Sequence, residues 1–302
     1  MKHTLMMILA ATPIVATLPA GAQGATADGS TSITSAAAPP VRQNVDVSRL
    51  TWLEYPSKLD RALAGKVDKN GKVDYALLKG DADLDLFTRA IAVADISRFP
   101  VLTIKPRVDE KTGLVAKGAK ETINRDAELA FWINAYNASV LKTLSDAFPV
   151  GSPDEIKGFD SDKKHRIAGQ SWSLRDLRAK IVRMDPRAFF ALSNGARGGP
   201  LLAPSAYRFL GLNQLLDITA SVFINNPDNI EVARSQNKVT LSDVLTEADD
   251  LFAAQSNKRQ KLGGLRYLLS AYSDQRGNRS YFTTNDYQIT LRKSDRRLNG
   301  KA

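Results

Sequence analysis

The sequence predicts an α+β fold, a predominantly helical single domain with a small β-sheet and a β-hairpin near the N-terminus of the folded part. Three observations carry this. From about Asn124 to Phe148 apolar residues recur nearly all the way round a helical wheel. Shorter amphipathic stripes recur at helical spacing, as in Asp83 to Ala94 and Leu210 to Phe223. Short β-branched runs such as Lys238 to Leu241 read as strands.

Composition bounds the rest. With 302 residues and 43% hydrophobic content the chain can bury a substantial core. Lys and Arg number 42 against 32 acidic residues, a net charge of +10 and a pI near 9.7. That charge favours polyanionic surroundings such as anionic lipid or acidic envelope polymers. Lys2 and His3 precede an apolar run, Leu5 to Leu18, and Ala20-Gly21-Ala22 follows. Residues 1–22 therefore read as a cleaved secretory signal, since the run contains Pro13 and falls short of the roughly 20 residues a spanning helix needs. The implied location is periplasmic or secreted, and nucleic acid is not an expected partner. Residues 23–48, rich in Ala, Ser, Thr, Gly and Pro, read as a flexible low-complexity linker to a globular domain at 49–302.

The chain contains no cysteine, which excludes disulfides, thiolate nucleophiles and thiolate metal ligands. Removal of His3 with the signal would leave His165 as the sole histidine, so zinc sites built on several histidines are excluded too. No metal and no cofactor is expected. His165 lies among Lys163, Lys164 and Arg166, whose charge disfavours its protonated form, and a lone histidine in such a loop reads as exposed.

Taken in order, Leu59 to Leu63 is a short amphipathic segment. Val67 to Tyr75 carries Asn70-Gly71 between valines, a hairpin signature; its Asp and Asn spacing fits a calcium loop poorly. Within the long helix, Asn134 and Asn137 lie three residues apart on one face of otherwise apolar sequence. Buried amides must find partners, either neighbouring loop backbone or a ligand in a pocket. Ser173 to Asp176 has capping-box-like spacing ahead of a helix reaching about Met184. Phe189 to Leu192 reads as a buried strand, and it runs into Gly195, Arg197, Gly198 and Gly199 before Pro200 and Pro204. Glycine allows backbone to approach a ligand closely, and exposed N–H groups beside Arg197 would suit an anion. The remaining expectations are a strand at Lys238 to Leu241, a helix capped by Ser242, a helix over Leu262 to Tyr272, and strands at Tyr281 to Thr284 and Tyr287 to Leu291. From Arg276 onward seven cations face two carboxylates, a basic C-terminal tail that is either solvated or attached to anionic envelope material.

Ala130-Phe131-Trp132-Ile133-Asn134-Ala135-Tyr136-Asn137-Ala138, then Ser173-Leu174, then Asp185-Pro186-Arg187 and the run into the glycine-rich loop resemble the family called domain of unknown function 547. Val73-Asp74-Tyr75 and Leu241-Ser242 also match its pattern, so the resemblance spans about residues 52–252. Many members carry His, Cys and Cys where this chain has Phe189, Asn194 and Gly199, so thiol chemistry by that route is closed to it.

The resulting expectation is an exported protein binding a small anionic or amide-bearing, envelope-related ligand, or an envelope polyanion. Its cleft would lie between loop 194–200 and helix 130–138, with Asn134, Asn137, Arg187, Asn194, Arg197 and Gly198 as ligand-binding residues. Peripheral association with an anionic envelope surface fits the charge. The alternative is an amide or ester hydrolase using the same cleft through Ser193 or a carboxylate, although no Gly-x-Ser-x-Gly elbow is present. A third reading leaves the glycine-rich loop as packing alone.

Overall fold

A long helix buried on nearly every side organises the structure. The computed structural model describes residues 46–47, 50–104, 120–256, 262–274, 276–284 and 286–301. The expected signal and nearly all of the expected linker lie outside these residues.

Chain order begins with α1 (Glu54–Leu63), a four-residue α2 (Tyr75–Leu78) and α3 (Ala82–Ala92). Buried Tyr55, Leu59, Ala62 and Leu63 of α1 face α3, which answers with Leu84, Phe87, Ala90 and Ile91. Asp81 fixes the start of α3 by accepting from the Leu84 N–H at 2.9 Å. Between α1 and α2, residues 67–73 form a tight turn with Gly71 at φ +72°. A single antiparallel bridge, Val67 to Val73, closes it in place of a two-stranded ladder. Gly71 is required there twice over, because an added Cβ would also meet the Leu202 carbonyl at 2.7 Å.

Strands β1 (Val101–Ile104) and β2 (Lys120–Ile123) pair antiparallel and deliver the chain to α4 (Arg125–Ala147). Asn124 caps α4 by accepting from the Asp126 and Ala127 N–H groups. Its apolar residues are buried on all sides, with α3, α5 and α6 among the helices packed against it. Next come β3 (His165–Ile167) and β4 (Gln170–Trp172), a hairpin turned by Ala168 and Gly169, both at positive φ. Ser173 caps α5 (Leu174–Met184), its Oγ accepting from the Asp176 N–H and donating to the Asp176 carboxylate in place of the reciprocal backbone bond of a full capping box.

Residues 186–191 are a 3₁₀ helix, not the expected strand. Asp185 accepts from the Arg187 N–H and Pro186 supplies a preset φ, so a helical turn nucleates there. A short, wholly apolar run carries no periodicity to reveal this. After the glycine-rich loop come α6 (Leu212–Ile224), β5 (Ile230–Ala233), β6 (Lys238–Ser242), α7 (Thr246–Phe252), α8 (Gly263–Tyr272), α9 (Arg276–Thr284) and β7 (Gln288–Arg292). The sheet has the order β5-β6-β7, antiparallel then parallel. The strand expected at Tyr281 to Thr284 belongs to α9; its aromatic composition suits a strand, but Tyr281 and Phe282 pack on Tyr287 from a helix lying against α8.

The C-terminal segment is not a solvated tail. Residues 293–301 run as a strap across the body, donating from Leu298 N to Gly151 O (2.7 Å), from Asn299 N to Gly195 O (2.8 Å) and from Lys301 N to Val73 O (2.9 Å). Asn299 also donates from Nδ2 to Gly71 O at 2.7 Å, with its side chain buried. No helix of the described residues is long and apolar enough to cross a membrane.

Candidate functional site

The glycine-rich loop is held by two sets of bonds. From α4, Asn137 donates to Ala191 O at 2.9 Å and accepts from Ser193 N at 3.0 Å. One turn earlier, Asn134 donates to Tyr207 O and accepts from Tyr207 N, both at 2.8 Å. The two amides thus bracket the loop at its entry and exit. The space beside Asn137 is about 10 Å³, room for little more than one water.

From the C-terminal strap come the loop's other partners. Arg197 N donates to Arg297 O at 2.9 Å and Gly198 N to Asp295 O at 2.8 Å. Gly195 N reaches Ser193 Oγ, Ala196 N reaches Asn194 Oδ1, and Gly199 N reaches Ala196 O. Every N–H from 195 to 199 therefore has an acceptor within the protein, and none is left over to form an anion nest. Gly198 is glycine because the strap lies against it: an added Cβ would stand 2.6 Å from Asp295 N.

Arg187 is committed elsewhere. Its guanidinium is bound by Asp185, by Asp217 at 3.0 Å and by Asn213 Oδ1 at 2.7 Å. Hydrogen bonding to Asp185 first, then to Asp217, raises its already high pKa. Arg197 is exposed, donates from Nε to Leu298 O at 3.2 Å and lines a separate apolar groove.

Between helix 130–138 and loop 194–200 lies a polar cavity of about 380 Å³. The helix contributes Tyr136 and the loop contributes Asn194 and Pro200. Phe189, Asn194 and Gly199, the three departures from the family pattern, meet at this wall: Phe189 and Asn194 line it, and Asn194 packs so tightly on Gly199 that a Cβ there would sit 2.0 Å from its Oδ1. Tyr136 is buried and Arg178 of α5 half-buried, whereas Asp243 and Glu247 lie exposed at the solvent side. Arg296 enters from the strap, held by both oxygens of Asp154.

The donors on the inner side are unusual in their freedom. Tyr136 is held neutral, its pKa pushed up to about 12 mainly by burial, and its hydroxyl bonds no described residue. Arg178 has only long contacts, 3.5 Å to Asp160 and 3.7 Å to Glu247. Asn194 gives its oxygen to Ala196 N, while its Nδ2 donates to no described group. Ser193 is buried, accepts from Gly195 N and does not line the cavity.

Tyr136, Asp160, Arg178, Glu247 and Arg296 escaped the sequence reading. Arg178 carried a signal: it stands four residues after Leu174, within the apolar stripe that continues to Ile181, where an arginine must reach a polar partner. Tyr136 was counted among the apolar residues of its helix. His165 is half-buried, not exposed; its Nε2 and the Nε1 of its cross-strand neighbour Trp172 are both buried without a partner. Burial, and then the charge of Lys163, lowers its pKa. Among the described residues no cluster of three or more His, Cys, Asp or Glu could hold a metal.

By class this is an α+β protein with a central buried helix and a polar cavity framed by that helix and a glycine-rich loop. Residues 120–224 match the family described as "Protein of unknown function, DUF547". The matched segment contains Tyr136, Asp160, Arg178 and Asn194, and ends before Asp243, Glu247 and Arg296. No curated protein and no solved structure matches the chain.

Proposed function

We propose that the chain binds a small anionic or amide-bearing ligand in the polar cavity between helix 130–138 and loop 194–200. The observation that carries this is the convergence of three donors, Tyr136 Oη, the Arg178 guanidinium and Asn194 Nδ2, without strong acceptors from the protein. Donors so placed, one buried and two half-buried, favour carboxylate or carbonyl oxygens. The exposed carboxylates Asp243 and Glu247 then favour an N–H or ammonium group at the outer end, which together describes a peptide-like fragment. Asn134, Asn137 and Gly198 hold the loop beside this cavity without lining it, and Arg187 and Arg197 lie outside it. The apolar N-terminal run supports reading the chain as an exported protein, with envelope peptides as the source of ligand, and the basic charge suits an anionic envelope surface.

Thermal-shift and calorimetric titration with N-acetylated dipeptides, their C-terminal amides and cell-wall peptide fragments provides the test. Saturable stabilisation is expected. Arg178→Met should weaken binding by roughly tenfold or more and Tyr136→Phe by several-fold, as loss of a charged and a neutral hydrogen bond implies. Arg197→Ala, outside the cavity, should bind as wild type does. Equal titrations for wild type and Arg178→Met would remove the reading. Turnover of a fragment would move it to the hydrolase alternative, with Asp160, Asp243 or Glu247 as the acid or base because Ser193 does not line the cavity.

A further inference from the structure

A second cavity, of about 290 Å³, lies along α6 and the turn that follows the glycine-rich loop. Leu201, Leu202 and Phe190 contribute to its apolar wall, and α6 adds Leu215, Ile218 and Val222. Those three stand at i, i+3 and i+7 on one side of the helix, and they are 37%, 50% and 51% exposed. A helix normally turns such a stripe inward, so this one presents an apolar strip to solvent beside a groove.

The charge on the groove has one sign. Lys69 and Arg197 line it, both exposed, and no carboxylate does. Arg197 uses only its Nε, on Leu298 O, and neither cation makes an ion pair among the described residues. The nearby Asp295 is bound by Arg297. An apolar channel lined by two cations and by no carboxylate is complementary to a molecule with a hydrocarbon chain and an anionic head. A second copy of this chain is a poorer occupant, because each copy carries +10 and would bring Lys69 and Arg197 against a like-charged partner.

We infer that the groove between α6 and residues 201–204 binds a single-chain anionic amphiphile, its hydrocarbon chain against Leu215, Ile218 and Val222 and its head against Lys69 and Arg197. This site is separate from the polar cavity and does not depend on what that cavity binds.

Dodecanoate, dodecyl phosphate and dodecanol, each below its micelle-forming concentration, should be titrated against the full folded chain by calorimetry. Both anions are expected to bind, and dodecanol about three- to tenfold more weakly, as two solvent-exposed charge contacts imply. A preference for one anion identifies the head group. Ile218→Asp, at an exposed position, should retain the wild-type melting temperature without ligand and lose both anions. Arg197→Ala should narrow the preference for the anions over dodecanol by weakening both anions and leaving dodecanol unchanged, whereas Arg178→Met should leave all three unchanged. Equal binding of dodecanoate and dodecanol by wild type, or undiminished binding by Ile218→Asp, would overturn the assignment. Dimerisation in solution that Ile218→Asp abolishes would also overturn it, making the strip an interface between copies.

Discussion

Asn137→Ala tests how α4 holds the glycine-rich loop. Asn137 is 4% exposed, and its amide satisfies two backbone groups at once, Ala191 O at 2.9 Å and Ser193 N at 3.0 Å. Alanine leaves both without that partner. A buried polar group with no partner costs about 1–3 kcal/mol, so the loss is about 2–6 kcal/mol, nearer the lower figure where the loop relaxes. The neighbouring space of about 10 Å³ limits rescue by solvent. Urea unfolding followed by tryptophan fluorescence measures it, with the midpoint shift at constant slope giving the free-energy change. Asn137→Asp separates the two bonds: it keeps an acceptor for Ser193 N and removes the donor to Ala191 O. A loss below about 0.5 kcal/mol for Asn137→Ala would refute the reasoning, since changes of that size are typical of unconstrained surface sites.

Acid should also loosen the structure through His165. Its folded pKa lies below the ordinary 6.5 because burial and Lys163 disfavour the cation, so the unfolded chain binds the proton more readily. That contribution is fully present above about pH 6.5 and is lost as pH falls below it; thermal melts between pH 7 and 5 should decline more steeply for wild type than for His165→Gln. Glycine replacements should separate backbone strain from crowding. Gly65→Ala, at φ +71° with open space around it, should cost about 1 kcal/mol, whereas Gly195→Ala, at φ +77° with its Cβ 2.3 Å from Leu144 Cδ1, should cost about 2–4 kcal/mol by calorimetry. Equal losses would deny the close approach. Gly199→Ala should displace Asn194 and weaken ligand binding in the polar cavity more than it lowers stability. Truncation after Arg292 removes six backbone bonds to the body, donated by Val73, Arg197, Gly198, Leu298, Asn299 and Lys301, and should cost about 6 kcal/mol in urea unfolding. An unchanged midpoint would show that the strap adds no stability.

What could be read in advance was whatever short-range chemistry specifies. Asn124 and Ser173 cap α4 and α5 because their side chains reach N–H groups two or three residues on, a relation written in local sequence. The apolar positions of α4 predicted its burial, and Lys238 to Leu241 predicted β6. Residues 186–191 and α9 failed for a common reason: aromatic and apolar residues pack as well on a helical turn as on a strand, and tertiary neighbours decided. The strap was invisible because its bonds to the body join residues 51 to 236 positions apart, and a polar, basic run announces none of them. The cavity was half legible. Asn194 could be named from the loop, but Arg178 and Arg296 arrive from segments whose approach only the fold determines.

The glycines of residues 195–199 pointed to backbone approached closely by something, and an anionic ligand was the natural candidate. The approaching group is the chain's own C-terminus. Asp295 and Arg297 supply carbonyl oxygens where a ligand's oxygens would have been expected, and Asn299 returns a donor to Gly195 O. The same strap carries Ser294 and Arg296 into the lining of the polar cavity, while Gly199 makes room for Asn194 to face it. Loop, strap and cavity are therefore one construction. The loop's N–H groups bind protein so that Asn194 can be held in place, and the unsaturated donors stand beside them, on Tyr136, Asn194 and the loosely held Arg178, not on the loop backbone. The proposed binding should therefore depend on the strap, because removing it releases the loop and deletes part of the cavity wall together.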